Sequence, residues 1–301
     1  MPVPLRGAII ALGNFDGFHA GHQAVVGRAV EVARARGVPA IVATFDPHPV
    51  RHFKPEVAPF RLTTLNQRQR LFGEAGASAM LVLEFGAAMA AMDADRFVRD
   101  LIVGQFGAGG VVTGADFVYG RGRGGNGDTL SAAAAAHGFS YDRVAPVNDG
   151  TEPVSSSRVR AALRDGDCAT ATRLLTRPFA IEGVVQHGTK VGRTLGFPTA
   201  NINLANYLRP RFGIYAVTGR LSDGRTVQGA ANIGIRPSFD PPRELLEPHF
   251  FDFDGDLYGE TIEISLHAFL RGEEKFGDMN GLMAQMTRDC DAARSILSAL
   301  A

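Results

Sequence analysis

The chain changes its pattern once. Up to about residue 175, short apolar runs alternate with helix-like stretches. After about Arg177 the helical stretches stop and turn-bounded, β-rich segments take over. The first half carries apolar runs at Ala8–Leu12, Ala40–Phe45, Met80–Glu84, Gly110–Thr113 and Arg143–Val147. Helical patterns lie between them near Gln23–Arg36, Thr64–Glu74, Ala94–Phe106 and Leu130–His137. Such alternation predicts an α/β domain with a parallel sheet, since parallel strands need crossovers and the crossovers cover the sheet. Ligands of such sheets bind beyond the carboxyl ends of the strands, where strand order reverses. The second half, with Ala180–Gln186, Ile214–Leu221, Val227–Ile233, Leu245–Phe251 and Thr261–Phe269, predicts a small antiparallel β-barrel. One helix over about Gly281–Ala299 is expected to dock on it through Leu282, Met286, Ala293, Ile296, Leu297 and Leu300. The break near Thr176–Pro178 divides the chain into residues 1–176 and 177–301.

Charge and cysteine content bound the function. Thirty-one basic and 31 acidic residues give zero net charge, which argues against a nucleic-acid partner bound through a strongly basic surface. Cys168 and Cys290 have no metal-site spacing and read as reduced thiols of a cytoplasmic protein. No apolar run approaches the ~20 residues that span a bilayer, so no membrane partner is expected. Asp252, Asp254 and Asp256 resemble a calcium run but lack the later glutamate and flanking helices of an EF-hand, and read as turn residues. The sequence carries no legible oligomer interface.

The segment GNFDGFHAGH, Gly13 to His22, follows the first strand and opens the first helix. Its glycines permit a sharp turn and close approach of backbone N–H groups to an anion, and the helix N-terminus adds partial positive charge. His19 and His22 stand one helical turn apart and can aim at one spot. Two imidazoles at a phosphate-binding turn suit a transition state that gathers charge on a phosphate. The glycine-rich loop Gly120–Gly127 has the wrong spacing for a dinucleotide fingerprint, and reads equally as a basic flap over phosphates or as solvated linker.

This segment resembles the HxGH signature of the nucleotidylyltransferase superfamily, and in its full length the FAD synthetase branch. TFDPHP (Thr44–Pro49), GADFVYG (Gly114–Gly120) and VSSSRVR (Val154–Arg160) resemble further segments of that branch, with Tyr119 and Ser157 as conservative departures. The resemblance implies a Rossmann-like domain over residues 1–176 that adenylylates FMN to FAD. Asn14, His19, His22 and Arg158 would act there by charge stabilisation. Gly13, Phe15, Asp16, His48, Pro49, Asp116, Ser155, Ser156 and Ser157 would bind substrate.

The second constellation is GTKVGRTLGFPTAN, Gly188 to Asn201. It lacks the Walker A spacing, but glycines, Lys190, Arg193 and a hydroxyl before Asn201 supply the same physics of backbone donors and cations around phosphates, with an oxygen for magnesium. Its PTAN string resembles the riboflavin kinase family. GIYAV (Gly213–Val217), ANIGIRPSF (Ala231–Phe239), EPHFFDF (Glu247–Phe253), DLYG (Asp256–Gly259) and LRGEEKF (Leu270–Phe276) follow in the family's order. The resemblance implies Mg2+ at Thr199 and Asn201, Glu247 as catalytic base, Arg271 at the flavin, and Gly188, Lys190, Gly192 and Arg193 around substrate. Pro248 removes a ladder donor and points to a strand edge or a bulge.

Together the two resemblances imply a bifunctional enzyme: riboflavin and ATP to FMN, then FMN and ATP to FAD and pyrophosphate. Two rival readings are a riboflavin kinase with a dead first module and a non-catalytic flavin-binding sensor or carrier. Intact His19, His22 and Arg158 argue against the first. Retained Glu247 and Thr199 argue against the second, since binding alone needs neither a base nor a metal site.

Overall fold

The computed structural model describes residues 5–150, 152–188, 192, 195–236 and 243–300. It contains two compact units: Met1–Ala58 with Leu65–Ser155, and Pro59–Thr64 with Ser156–Ala301.

The first unit is built on five parallel strands, β1 (Ile9–Leu12), β2 (Ala40–Asp46), β3 (Ala79–Glu84), β4 (Gly110–Gly114) and β5 (Ser140–Val144), in the order β3-β2-β1-β4-β5. β1 and most of β2 are buried on both faces, which is why they read as unbroken apolar runs. The two-residue period splits β1. Ile10 and Leu12 face one core with Phe97, Ile102, Phe106 and Leu130, while Ile9 and Ala11 face another with Val25, Val26, Ala29 and Phe72. The flanking helices are α1 (Ala20–Arg36), α2 (Pro49–Phe53), α3 (Leu65–Glu74), α4 (Ala87–Ala91), α5 (Ala94–Arg96) and α6 (Gly127–His137). α5 runs into a wide π-type helix over Phe97–Phe106. A short hairpin, β6 (Asn148–Asp149) and β7 (Glu152–Pro153), ends the unit. Because β1 is central, chain order reverses between β1 and β4, and their carboxyl ends form the switch point.

The glycine-rich loop is closed by backbone bonds. Tyr119 and Gly125 exchange both N–H···O bonds, at 3.0 and 2.9 Å, and Arg121 N–H donates to Met92 O at 2.7 Å. Asn126 then caps α6 in a capping box with Thr129.

The second unit is a closed antiparallel barrel, β10-β11-β12-β9-β8-β13, with β13 returning to β10. Its strands are β8 (Phe179–Gln186), β9 (Asn201–Asn203), β10 (Gly213–Arg220), β11 (Thr226–Arg236), β12 (Arg243–Phe250) and β13 (Thr261–Arg271). Helices α7 (Ser156–Asp165) and α8 (Cys168–Leu175) precede it. α8 packs on β13 and β8 and buries Ala171, Leu174 and Leu175. The closing helix α9 (Met279–Ser298) seats Cys290, Ala293 and Leu297 against Ala216, Ala230 and Phe251. Leu300 lies past its end and is exposed.

The strap Pro59–Thr64 belongs to this unit. Arg61 makes a parallel bridge to Tyr207, Leu62 is fully buried, and Thr64 Oγ1 donates to Glu182 Oε1 at 3.1 Å. Pro248 causes no register shift between β11 and β12. Its carbonyl accepts from Ala200 N–H at 3.0 Å, so its nitrogen points to that same side, where the β9 ladder covers only Leu245 and Leu246. No bond to β11 is lost. Cys168 and Cys290 are free and buried, and burial pushes their thiols up to about 12 and about 11.

Candidate active sites

In the first unit, the turn between β1 and α1 is held in a strained shape. Phe15, Gly17 and Phe18 have φ of 48°, 86° and 45°, and a left-handed conformation is costly for the two phenylalanines. Three groups hold it. Thr44 Oγ1 donates to Asn14 O at 2.7 Å. Arg68, 1% exposed on α3, donates from Nη1 to the same carbonyl at 3.3 Å and from Nη2 to Asp16 Oδ1 at 3.0 Å. Asp16 is equally buried, as is Phe15, so in this conformation both side chains build the turn. Arg68 carried no sequence signal, because an arginine in a helix reads as a surface residue.

The turn delivers the two histidines together. His19 caps α1, its Nδ1 accepting from His22 N–H at 3.4 Å, and the rings stack with centroids 3.6 Å apart. Phe15 meets His22 edge-on at 5.3 Å. A Cβ on Gly21 would press the His19 ring at 3.2 Å, so glycine gives the imidazole its room. Gly13 and the exposed Asn14 start the turn, at the carboxyl end of β1. Asp116, also exposed, lies in the turn after β4, on the other side of the switch point. After the cis Asp46–Pro47 bond, His48 caps α2 by accepting from Val50 N–H at 3.2 Å, with Pro49 as the first helical residue. Ser155 closes this unit, and Ser156, Ser157 and Arg158 open α7 of the second.

The barrel unit holds a cavity of about 430 Å³, within the range of small-molecule sites. The structure gathers Gly188, Gly192, Thr199, Asn201, Glu247 and Arg271 around it. Lys190, Arg193 and Ser238 lie outside the described residues. A Cβ at Gly188 would collide with the Asn201 amide, and one at Gly192 with the Phe197 carbonyl, so both glycines are steric necessities. Glu247 stands opposite Asn232 on β11 and forms an ion pair with Arg236. His249, two residues on, bonds through Nδ1 to Pro198 O at 2.9 Å and fixes the start of the PTAN segment.

Arg271 is held by a group the sequence did not announce. Its Nε and Nη2 donate to the two carboxylate oxygens of Asp289 on α9, at 2.9 and 2.7 Å, and Gln285 Nε2 adds a third bond at 2.9 Å. This fork raises the guanidinium further above its already high value, so Arg271 is a fixed cation on the cavity wall. Asp289 offered no signal alone, because its partner Arg271 comes from a strand 18 residues away. Among the described residues no cluster of three or more His, Cys, Asp or Glu could hold a metal ion.

Two family models cover most of the chain: FAD synthetase matches residues 2–158 and riboflavin kinase matches residues 175–297. The bifunctional riboflavin kinase/FMN adenylyltransferase of Escherichia coli is 38% identical over 97% of this chain and 93% of its own. That of Pseudomonas fluorescens is 39% identical at the same coverage. The chain belongs to the bifunctional riboflavin kinase/FMN adenylyltransferase family. A Streptococcus pneumoniae crystal structure, described as a macrolide-efflux protein, superposes with a TM-score of 0.86 at 29% identity, covering 96% of this chain and 94% of that one. Among the described residues, no helix here is long and apolar enough to cross a membrane. The family match places the HxGH turn in the FAD synthetase part and the PTAN and Glu247 segments in the riboflavin kinase part.

Proposed function

We infer that this chain phosphorylates riboflavin with ATP to FMN and then adenylylates FMN with a second ATP, releasing pyrophosphate as FAD forms. The observation that carries the kinase half is a barrel cavity that unites Thr199 and Asn201 with Glu247 and Arg271, from three separate stretches of sequence. Glu247 would take the proton of the ribityl terminal hydroxyl. Arg271, locked on Asp289, would hold the flavin end, beside apolar Ile214, Leu282 and Met286.

The residues fit a magnesium ion brought in on ATP. Thr199 and Asn201 offer a hydroxyl and an amide oxygen at the cavity, the sparse neutral donor set of an ion that keeps waters and substrate phosphates as its other ligands. There Mg2+ would neutralise charge on the nucleotide phosphates.

In the first unit the FMN phosphate is already anionic and needs no base. Asn14, His19 and His22 at the turn would stabilise charge on the α-phosphate as pyrophosphate leaves. We assign the adenylyl step to residues 1–176 and the kinase step to residues 177–301. The two free buried thiols support a cytoplasmic location.

The test is product analysis. Purified protein given riboflavin, ATP and Mg2+ should yield FMN and then FAD by chromatography. FMN alone would leave only the kinase half standing, and no turnover would leave neither.

A further inference from the structure

β11 aims one face at the barrel cavity. Asn232, Gly234 and Arg236 alternate onto that face, and Asn232 and Arg236 line the cavity. Gly234 leaves a gap between them that is filled from outside the strand. The Glu273 carboxylate, just after β13, sits where a Cβ on residue 234 would be. Asn232 Nδ2 holds it there at 3.2 Å. Arg236 then spans two carboxylates: Nη2 pairs with Glu247, and Nη1 lies 3.5 Å from Glu273 Oε1. A guanidinium has five N–H donors in a flat fork. Two of its nitrogens face carboxylates, and Nε has no partner among the described residues. The side chains of Arg236 and Glu247 are 30% and 15% exposed, so the pair is largely removed from water but open to the cavity.

We propose that Arg236 is a catalytic residue of the kinase step, a guanidinium that reaches from its seat between Glu247 and Glu273 to the phosphoryl group in transfer. The proposal rests on the reading of Glu247 as the base. If Glu247 receives the hydroxyl proton, the attacking oxygen lies within hydrogen-bond reach of it. The γ-phosphorus then lies one forming bond beyond, beside the cation already paired with Glu247. In the step, an O–P bond forms between the ribityl oxygen and the γ-phosphorus. The bond from that phosphorus to the β,γ-bridging oxygen breaks, ADP leaves with the electron pair, and the proton passes to Glu247. Charge spreads over the equatorial phosphoryl oxygens, and a preoriented guanidinium stabilises it there. Arg271 is assigned to the flavin end instead, with Nε and Nη2 tied to Asp289 and Nη1 to Gly272 O. Glu273 keeps Arg236 extended across the cavity rather than folded onto Glu247 alone.

The experiment uses the full chain with Arg236→Lys, Arg236→Ala, Glu273→Gln and Glu247→Gln. Riboflavin phosphorylation is measured with ATP and with its γ-thiophosphate analogue, and conversion of added FMN to FAD serves as the folding control. Arg236→Ala should lose about 10²–10³-fold in kcat with little change in the riboflavin KM. Arg236→Lys should recover part of that loss, because it keeps the charge but not the fork. Glu273→Gln should cost less than about tenfold. The decisive readout is the ATP-to-analogue rate ratio. It should shrink by about tenfold in Arg236→Ala, because the group that distinguishes oxygen from sulfur is gone. A folded Arg236→Ala within tenfold of wild-type kcat, or one that slows with an unchanged ratio, overturns the proposal and leaves Arg236 as a tie between strands. Full kinase turnover in Glu247→Gln would remove the base reading itself, and the inference with it, whatever the arginine variants do.

Discussion

Asp16→Asn should destabilise the first unit strongly. The Asp16 and Arg68 side chains are each 2% exposed and 3.0 Å apart. At an effective dielectric near 20 their gross attraction is about 5 kcal/mol, and desolvation of both charges offsets much of it. Removing only Asp16 keeps the desolvation cost of Arg68 and deletes the attraction. The expected loss is therefore about 3–5 kcal/mol. That is a large part of the ~5–15 kcal/mol that holds a domain together. Replacing both partners, as Asp16→Asn with Arg68→Met, leaves no buried charge and should recover most of the loss. It should not recover FAD synthesis, because Thr44 alone then holds Asn14 O and the left-handed Phe15 and Phe18 can relax. Urea unfolding of the singles and the double gives the coupling, and FMN adenylylation with riboflavin phosphorylation as control gives the function. If Asp16→Asn costs under 1 kcal/mol, or if the double variant loses the sum of the singles, the pair does not organise the turn.

His22→Ala should slow adenylylation ~10²–10³-fold and leave riboflavin phosphorylation near wild type, read by separate assays of the two steps. Burial depresses the folded pKa of His267, whose Nε2 lies 2.9 Å from Thr218 Oγ1. The unfolded chain then binds more protons, so stability is complete above the ordinary histidine value of ~6.5 and should fall as pH drops below it. In His267→Gln, melting temperatures measured across that window should show a weaker slope. A fragment beginning at Arg177 should still make FMN but unfold more easily than one beginning at Ser156. It gives up the buried Leu174 and Leu175, worth on the order of 3–6 kcal/mol together, as paired denaturant titrations would show.

The doubly buried strands are legible in the sequence, because β1 is apolar throughout and β2 is apolar but for Thr44 and Asp46. β5 begins three residues before its apolar run, since Ser140, Tyr141, Asp142 and Arg143 form a half-exposed edge strand whose polar side chains mask it. β9 is three residues long and carries too little pattern to read. The amphipathic pattern of α7 and α8 shows that each has an apolar face, but not which core that face meets. In the sites, the turn and the PTAN string were visible as local motifs. Arg68 and Asp289 were not, because each acquires its meaning from an opposite charge brought by another element.

The strap Pro59–Thr64 imposes a schedule on synthesis. Leu62 is fully buried, yet Glu182, the partner of Thr64, is 118 residues further along the chain. At ~5–20 residues per second, a ribosome needs about 6–24 s to reach it. Through that interval the nascent chain carries a hydrophobic strap whose seat has not been made. A chaperone that shields Leu62 during those seconds would therefore govern the yield of the barrel without touching a single barrel strand.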